Sequence, residues 1–306
     1  MQRAHRQGWT LLEVTIVAAI IGLLLSLILV ATQSAREASR RAQCLSNLRQ
    51  LGLPIIQQAN KLPRVRAVTF TNRYQHLIFG NPFVFVAQEL SYPVKNRDEF
   101  LQIGDDETSV ASPPSVFRCP SSDKALGYRL NFGVKPIVTI RVRDTPGQLF
   151  SHQKTGRSLS EVTDGLSNTV LISERMTPSG RPRRNRSIAV ANGVPRFEDM
   201  ESYCESSFRR NVVIPNPDHW WSTRVECFGY DHTRVPNADT VDCLVINAQQ
   251  SFSAWTNIAA RSEHTGGVNC GWLDGGVRFV NSSIDLQLWQ SFGTSQGGEP
   301  VQTEQD

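Results

Sequence analysis

The stretch TLLEVTIVAAIIGLLLSLILVATQSAREASRRAQCLSNLRQLG, Thr10 to Gly52, decides how the rest of the chain is read. From Val14 to Ala31 it runs for eighteen residues with only Thr15 and Ser26 polar, and as a helix that length covers about 27 Å. Starting at Leu11 extends it to about 31 Å, enough to cross the hydrocarbon of a bilayer. The extension takes in Glu13, whose carboxylate would cost roughly 2.5 to 3.5 kcal/mol at mid-membrane and less near the edge. A secretory signal closes its apolar region with a small-residue cleavage site. Here the pattern continues instead: Ala31, Ala35, Ala38, Ala42, Leu45 and Leu48 recur at helical spacing until Gly52 and Pro54. The spacing predicts one helix of about 40 residues, half in lipid and half outside it.

Upstream, a short basic leader ends in Gly8 and is followed by Trp9, Thr10, Leu11, Leu12 and Glu13. That order resembles the class III signal of type IV prepilins and type II secretion pseudopilins. The resemblance implies a prepilin peptidase as partner, cleavage between Gly8 and Trp9, methylation of the new N-terminus, and Glu13 as the fifth mature residue. Trp9 departs from the usual Phe or Met but keeps the aromatic character. In such filaments a carboxylate in hydrocarbon is costly, and a neighbour's N-terminal amine offsets that cost, which gives assembly a direction and a register. The plainer alternative is a signal anchor with Glu13 reaching back to the interface. Lys and Arg number two before the apolar run (Arg3, Arg6) and four just after it (Arg36, Arg40, Arg41, Arg49). Taken alone, that asymmetry would put the large domain in the cytoplasm. The Gly8 to Glu13 order and the cysteines place it outside.

Further islands carry a second resemblance. Together with the N-terminal stretch, FRCPSSD (117–123), DGLSNTVLISER (164–175) and SEHTGGVNCGWLDGGVRFV (262–280) are similar to the large planctomycete family of pilin-like proteins known as a domain of unknown function, DUF1559. Its closing signature is a His, nine residues, then Asp-Gly, here His264, Asp274 and Gly275. Asp164, Gly165, Ser167 and Asn168 lie in a second such island. The resemblance implies an α+β, type IV pilin-like lollipop, with a long N-terminal transmembrane helix packed on an antiparallel β-sheet head with extended loops. Its parts would be a leader (1–8), a helix (9–53, transmembrane over 11–31), a head (54–296) and a flexible tail (297–306). Where members often carry a proline this chain has Val30, so a straighter helix is expected. The resemblance also suggests a Cys44–Cys119 disulfide, since both residues lie in family-like islands; Cys204, Cys227, Cys243 and Cys270 could pair in three ways.

Composition agrees with a folded head. The 306 residues are 40% apolar, and 32 Lys plus Arg stand against 28 Asp plus Glu, so a net charge of +4 suggests no polyanion partner. Six cysteines without a C-x-x-C disfavour zinc ribbons and thioredoxin-like motifs and point to an oxidising compartment. IVTIRVR (137–143) alternates like a half-buried strand, and TVLISE (169–174) is another candidate. Val268, Cys270 and Trp272 share one strand face, Asp274-Gly275 turns, and Val277 and Phe279 return, a hairpin signal. Ser282 and Asp285 have capping-box spacing before Ile284, Leu288 and Phe292, which predicts a short helix ending at Gly293. Gly104 to Ser115 reads as a loop.

Little else signals chemistry. GTSQG (293–297) matches G-x-S-x-G, but no histidine follows Ser295, so the hydrolase order fails. His219, Asp231, His232, His264 and Asp274 include metal-ligand types at no standard spacing, and roles in capping and turns are the preferred reading. RPRRNR (181–186) is basic without interleaved aromatics and reads as a solvated loop, so nucleic acid is not an expected partner. Trp220, Trp221 and Trp255 could stack on sugars but are more simply core. The expectation is a non-enzymatic structural subunit without cofactor or metal. It would sit in the cytoplasmic (inner) membrane as a single-pass protein with an extracytoplasmic head, partnered by other pilin-like subunits and reaching the cell surface as a filament. The rival expectation is a tethered binding or enzymatic domain, for a glycan or polymer, that never polymerises.

Overall fold

A computed structural model describes residues 11–61, 69–71, 77–79, 82–92, 113–122, 126–135, 137–138, 149, 158–176, 187–193, 196, 198–215, 225–246 and 253–298. The first element, α1 (Leu11–Lys61), is 51 residues long, about 75 Å at helical rise. Every side chain from Leu11 to Arg36 is exposed, and α1 is long and apolar enough to cross a membrane. Its hydroxyls need no water: Thr15, Ser26 and Thr32 donate to the carbonyls of Leu12, Leu23 and Leu29. Val30 lies within the helix.

The second half of α1 is fixed into the head, but not by the alanine face. Ala35, Ala38 and Ala42 are exposed, whereas Glu37, Arg41, Cys44, Leu48, Leu51 and Ile55 turn inward at alternating steps of four and three. Alanine spacing misleads because two of these six positions are charged and a third is a half-cystine, all three met by distant segments. Nor does the helix stop at Gly52 and Pro54; it continues to Lys61. Gly52 is buried against Leu171. Pro54 denies a hydrogen bond to the carbonyl of Gln50, which is exposed, so water can take its place.

After α1 come β1 (Thr69–Thr71), β2 (Leu77–Phe79), α2 (Pro82–Glu89), β3 (Tyr128–Asn131), β4 (Ile137–Val138), β5 (Val170–Glu174) and β6 (Ser187–Asn192). Next are α3 (Met200–Arg209), β7 (Val213–Pro215), α4 (Val225–Phe228), β8 (Gly229–Tyr230), β9 (Asp242–Ile246) and β10 (Ser253–Asn257). The hairpin β11 (Gly267–Trp272) and β12 (Val277–Asn281) and the helix α5 (Leu286–Ser291) follow. Besides the β1–β2 pair, the described residues form two five-stranded sheets, in orders β12-β11-β5-β3-β8 and β4-β10-β9-β6-β7. They are not wholly antiparallel: β3 pairs with β8, and β6 with β9, in parallel. Both pairs are closed by long connections, as parallel strands require.

Three cores stack between these layers. Leu48, Leu51 and Ile55 of α1 meet Phe83 and Val86 of α2 and Leu130 and Ile172 of the first sheet. Behind that sheet, Val268, Cys270, Trp272 and Val280 face Ile188, Val190 and Leu244 of the second, with Trp289 of α5. On the far side, Ala189, Ala191, Cys243 and Val245 pack against Met200 and Cys204 of α3. Alternate residues of β6 and β9 thus serve two cores, the period-two signature of a strand buried on both faces. In β5 a bulge breaks that period. Gly271 pairs with Ile172 but Trp272 pairs with Val170, so Leu171 is the extra residue and Val170 turns away from α1. Gly271 itself faces α1, where a Cβ would lie 2.7 Å from Ile172 Cγ2.

The hairpin forms where expected, with Gly275 at φ 83°, but its second strand is turned over. Val277 and Phe279 oppose Gly271 and Asn269 on the α1 side, and Val280, opposite Val268, enters the sandwich. The cap of α5 is Asp285, which accepts from the amides of Gln287 and Leu288, and not Ser282, whose own amide donates to Gly266. Of IVTIRVR only Ile137 and Val138 are described, as β4. Most of the 104–115 loop and of the tail lies outside the described residues.

Candidate functional site

Where α1 meets the head, covalent and ionic contacts converge on His264. Cys44, on the inward stripe of α1, is bonded to Cys119 with Cα atoms 5.2 Å apart. Two turns before Cys44 on the same stripe, Glu37 Oε1 lies 2.6 Å from His264 Nδ1. The other ring nitrogen, Nε2, is 3.2 Å from Glu174 Oε1 at the end of β5 and 3.8 Å from Cys119 Sγ. Glu174 is held from behind, its Oε2 accepting from the Asn269 amide at 2.8 Å and its Oε1 from Asn269 Nδ2 at 2.9 Å. His264 is seated by its own amide, which donates to Ser262 Oγ. Alongside, Asn47 Nδ2 donates to the Arg118 carbonyl at 2.7 Å, and the Arg41 guanidinium covers the Phe279 ring at 3.8 Å.

The electrostatics follow from that arrangement. Burial by itself would lower the His264 pKa, but hydrogen bonds and charge from Glu174 and Glu37 outweigh it and raise the value. For Glu37 burial would act upward, and the contacts with His264 and Arg40 bring it down instead. His264, held between Glu37 and Glu174, therefore clamps helix to sheet beside the disulfide.

The two family-like islands also meet. Arg278 donates from Nη1 to the Ser167 carbonyl and from Nη2 to Asp274 Oδ2, both at 2.7 Å, and lies over the Trp272 ring. The Asp274 amide donates to the Leu166 carbonyl, and Asp274 Oδ1 accepts from the Gly276 amide. Gly165, at φ 93°, makes the partner turn, in which Asn168 Nδ2 donates to the Asp164 carbonyl. Asp164 accepts through its carboxylate from Thr294 Oγ1 and from the amides of Gly297 and Gly298, fastening the segment after α5. His264 and Asp274 thus serve separate purposes, one at the helix junction and one at the turn.

The other candidates divide. Asp231, His232 and Asp274 do not join His264 in one cluster. His232 Nδ1 donates to the Trp289 carbonyl and its Nε2 accepts from Tyr230 Oη, with the ring stacked on Trp289. Asp231 accepts from the Ile258 amide and from Thr233. Ser295 is buried after α5, its carbonyl taken by the Thr163 amide. Gly8, Trp9, His219, Trp220, Trp221 and 181–186 lie outside the described residues. Glu13 stands in the first turn of α1. Glu37, Glu174 and Asn269 lie within the family-like stretches, but nothing local marks them out, because only tertiary contact makes them a unit. The four remaining cysteines do not form two bridges: Cys204 bonds Cys243, tying α3 to β9, while Cys227 and Cys270 are buried and belong to neither disulfide.

Such a fold defines a class: an α+β lollipop of the pilin-like kind, a long apolar N-terminal helix held in a two-sheet head and suited to single-pass anchoring. The family described as "Protein of unknown function (DUF1559)" matches residues 33–287, and the chain belongs to that family. No curated protein matches the chain. No solved structure matches it either.

Proposed function

We propose that the chain is a structural, non-enzymatic subunit of a type IV pilus-like or type II secretion-like filament, cut by a prepilin peptidase after Gly8 and methylated on Trp9. The observation that carries this reading is the division of α1. Its apolar half is exposed throughout, while the half from Glu37 onward is locked to the head by a disulfide, an ion-paired histidine and a packed stripe. A helix so fastened can transmit to the head whatever position its apolar half takes in a bundle of copies. The two disulfides support an extracytoplasmic head, since such bonds persist in oxidising compartments. Membership of the family and the Gly8 to Glu13 order support processing and assembly.

Glu13 supplies the test. In a filament its carboxylate would pair with the amine of a neighbour's Trp9, so Glu13→Leu should abolish assembly, read as loss of pelletable filaments and of cross-links between copies, and leave membrane fractionation unchanged. A variant that assembles as well as the wild type would leave only a tethered binding or enzymatic domain. Mass spectrometry of the mature N-terminus is expected to show methylated Trp9; an intact Met1 would remove processing from the account.

A further inference from the structure

The junction contains more than a clamp requires. Four potential ligand atoms, from Cys44, Cys119, Glu174 and His264, lie within 4.8 Å of one another, and all four residues are buried. Tetrahedral zinc binds sulfur at about 2.3 Å and imidazole nitrogen or carboxylate oxygen at about 2.0 to 2.2 Å, so the edges of its ligand tetrahedron measure about 3.4 to 3.8 Å. Three edges here are already near those lengths: Cys119 Sγ to His264 Nε2 at 3.8 Å, Cys119 Sγ to Glu174 Oε1 at 4.0 Å, and His264 Nε2 to Glu174 Oε1 at 3.2 Å. The edge that is far too short is the covalent one between the sulfurs, and it opens when the bond is reduced.

The surroundings are those of a metal-binding histidine. His264 Nδ1–H donates to Glu37 Oε1, which leaves Nε2 as the ligand and fixes the ring, the carboxylate–histidine arrangement common behind zinc. Asn269 fixes Glu174 in the same way through its amide and side chain.

We propose that the helix–head junction is a redox-gated metal site, in which reduction of Cys44–Cys119 creates a site of two thiolates, one imidazole and one carboxylate for a single zinc-class divalent cation. Reduction by a dithiol breaks the sulfur–sulfur bond, adds two electrons and two protons to give two thiols, and leaves the reductant as its own disulfide. Metal binding then releases both thiol protons, together with the Nε2 proton of His264 where the ring carries one. Oxidation reverses the sequence and expels the ion. The junction is thus held together in either state, by a covalent bond or by a metal, and this reading does not depend on whether the chain forms filaments.

The test uses the full chain in detergent, with cobalt(II) as the probe and a phosphine as the reductant. Reduced protein should bind one cobalt per chain with thiolate-to-cobalt charge-transfer absorption, zinc should displace it, and the oxidised protein should show neither. Cys44→Ser and His264→Ala should abolish the band. Glu37→Gln, which removes no ligand, should weaken binding about 10- to 100-fold. The double variant Cys204→Ser, Cys243→Ser should bind as the wild type does, which separates this site from the other bridge. Circular dichroism of each oxidised variant shows whether the head is folded. Absorption that persists in folded His264→Ala, equal binding by oxidised protein, or no binding by reduced wild type would each overturn the proposal.

Discussion

Asp242→Ala is expected to destabilise the head by about 3 to 5 kcal/mol, the magnitude for removing one partner from a buried ion-paired cluster. Asp242 opens β9 and is almost wholly buried, with its Oδ1 accepting from Arg261 Nη2 at 2.9 Å, Arg261 Nε at 3.1 Å, Arg234 Nη2 at 3.3 Å and the Ala259 amide at 3.2 Å. Arg129 of β3, in the other sheet, lies 3.8 Å from Oδ2. Burial would raise the Asp242 pKa, but the charges of Arg261, Arg234 and Arg129 outweigh it, and the net shift is downward. The carboxylate therefore stays ionised and is the common counter-charge for arginines from both sheets. Without it, Arg129 and Arg261, each with about 1% of its side chain exposed, share the interior with no anion at that position. Against a total stability of about 5 to 15 kcal/mol, that loss should move the urea midpoint far enough to be unmistakable. Because the folded pKa is depressed, the contribution is present above the unfolded value and is lost as pH falls through the folded one. Arg209→Gln, at a pair with Glu205 in which the arginine side chain is 75% exposed, should change stability by less than about 1 kcal/mol and serves as the control. A similar small change in Asp242→Ala would show that the arginines find other partners.

Asp242 also illustrates what sequence could and could not convey. Elements whose side chains follow one period with local partners were readable: the apolar run of α1, the TVLISE strand as β5, and the β11–β12 hairpin around Asp274-Gly275. The second sheet was not, because β6 and β9 pair in parallel across some fifty residues and β9 begins with a buried aspartate that looks like a turn residue. The docking face of α1 departs from the alanine spacing for a related reason. Glu37, Arg41 and Cys44 are inward because His264, Phe279 and Cys119 await them, and those partners lie far along the chain. Family islands located His264, Asp274 and Asp164, yet not their division of labour, since Arg278, which joins two of the islands, is itself exposed although it shares its strand face with buried Val280. The bulge at Leu171 likewise leaves no trace in composition, although it decides which core receives Val170.

Two neighbouring residues should hold opposite pH dependences that cancel until one is removed. Burial pushes the His232 imidazole down to about 3, with only the Trp289 carbonyl acting upward. Burial pushes the Asp231 carboxyl up to about 6, against the lowering effects of Thr233, Arg234 and the Ile258 amide. Unfolded, the two groups titrate near 6.5 and 3.8. Between pH 6.5 and about 3 the unfolded chain therefore carries the extra His232 proton, and acid weakens the fold by about 1.4 kcal/mol per pH unit. For Asp231 the sign reverses. Its raised pKa contributes stability that is fully present below 3.8 and is lost as pH rises through about 6. From pH 6 to 3.8 the two slopes oppose one another, so the pair is nearly silent in the wild type, and the histidine acts alone only between 6.5 and 6 and below 3.8. Single replacements should expose each slope. In His232→Gln, wild-type stability minus variant stability should fall steadily as pH drops from 6.5 towards 3, by roughly 4 kcal/mol in all. In Asp231→Asn the same difference should instead grow as pH drops from 6 to 3.8. Urea denaturation at pH intervals of about half a unit reads both, and taking the difference removes the titrations common to the two proteins. Difference curves that stay flat across the window would mean that neither group changes its proton affinity on folding. His232 would then owe its place only to the stack on Trp289 and its bond to Tyr230.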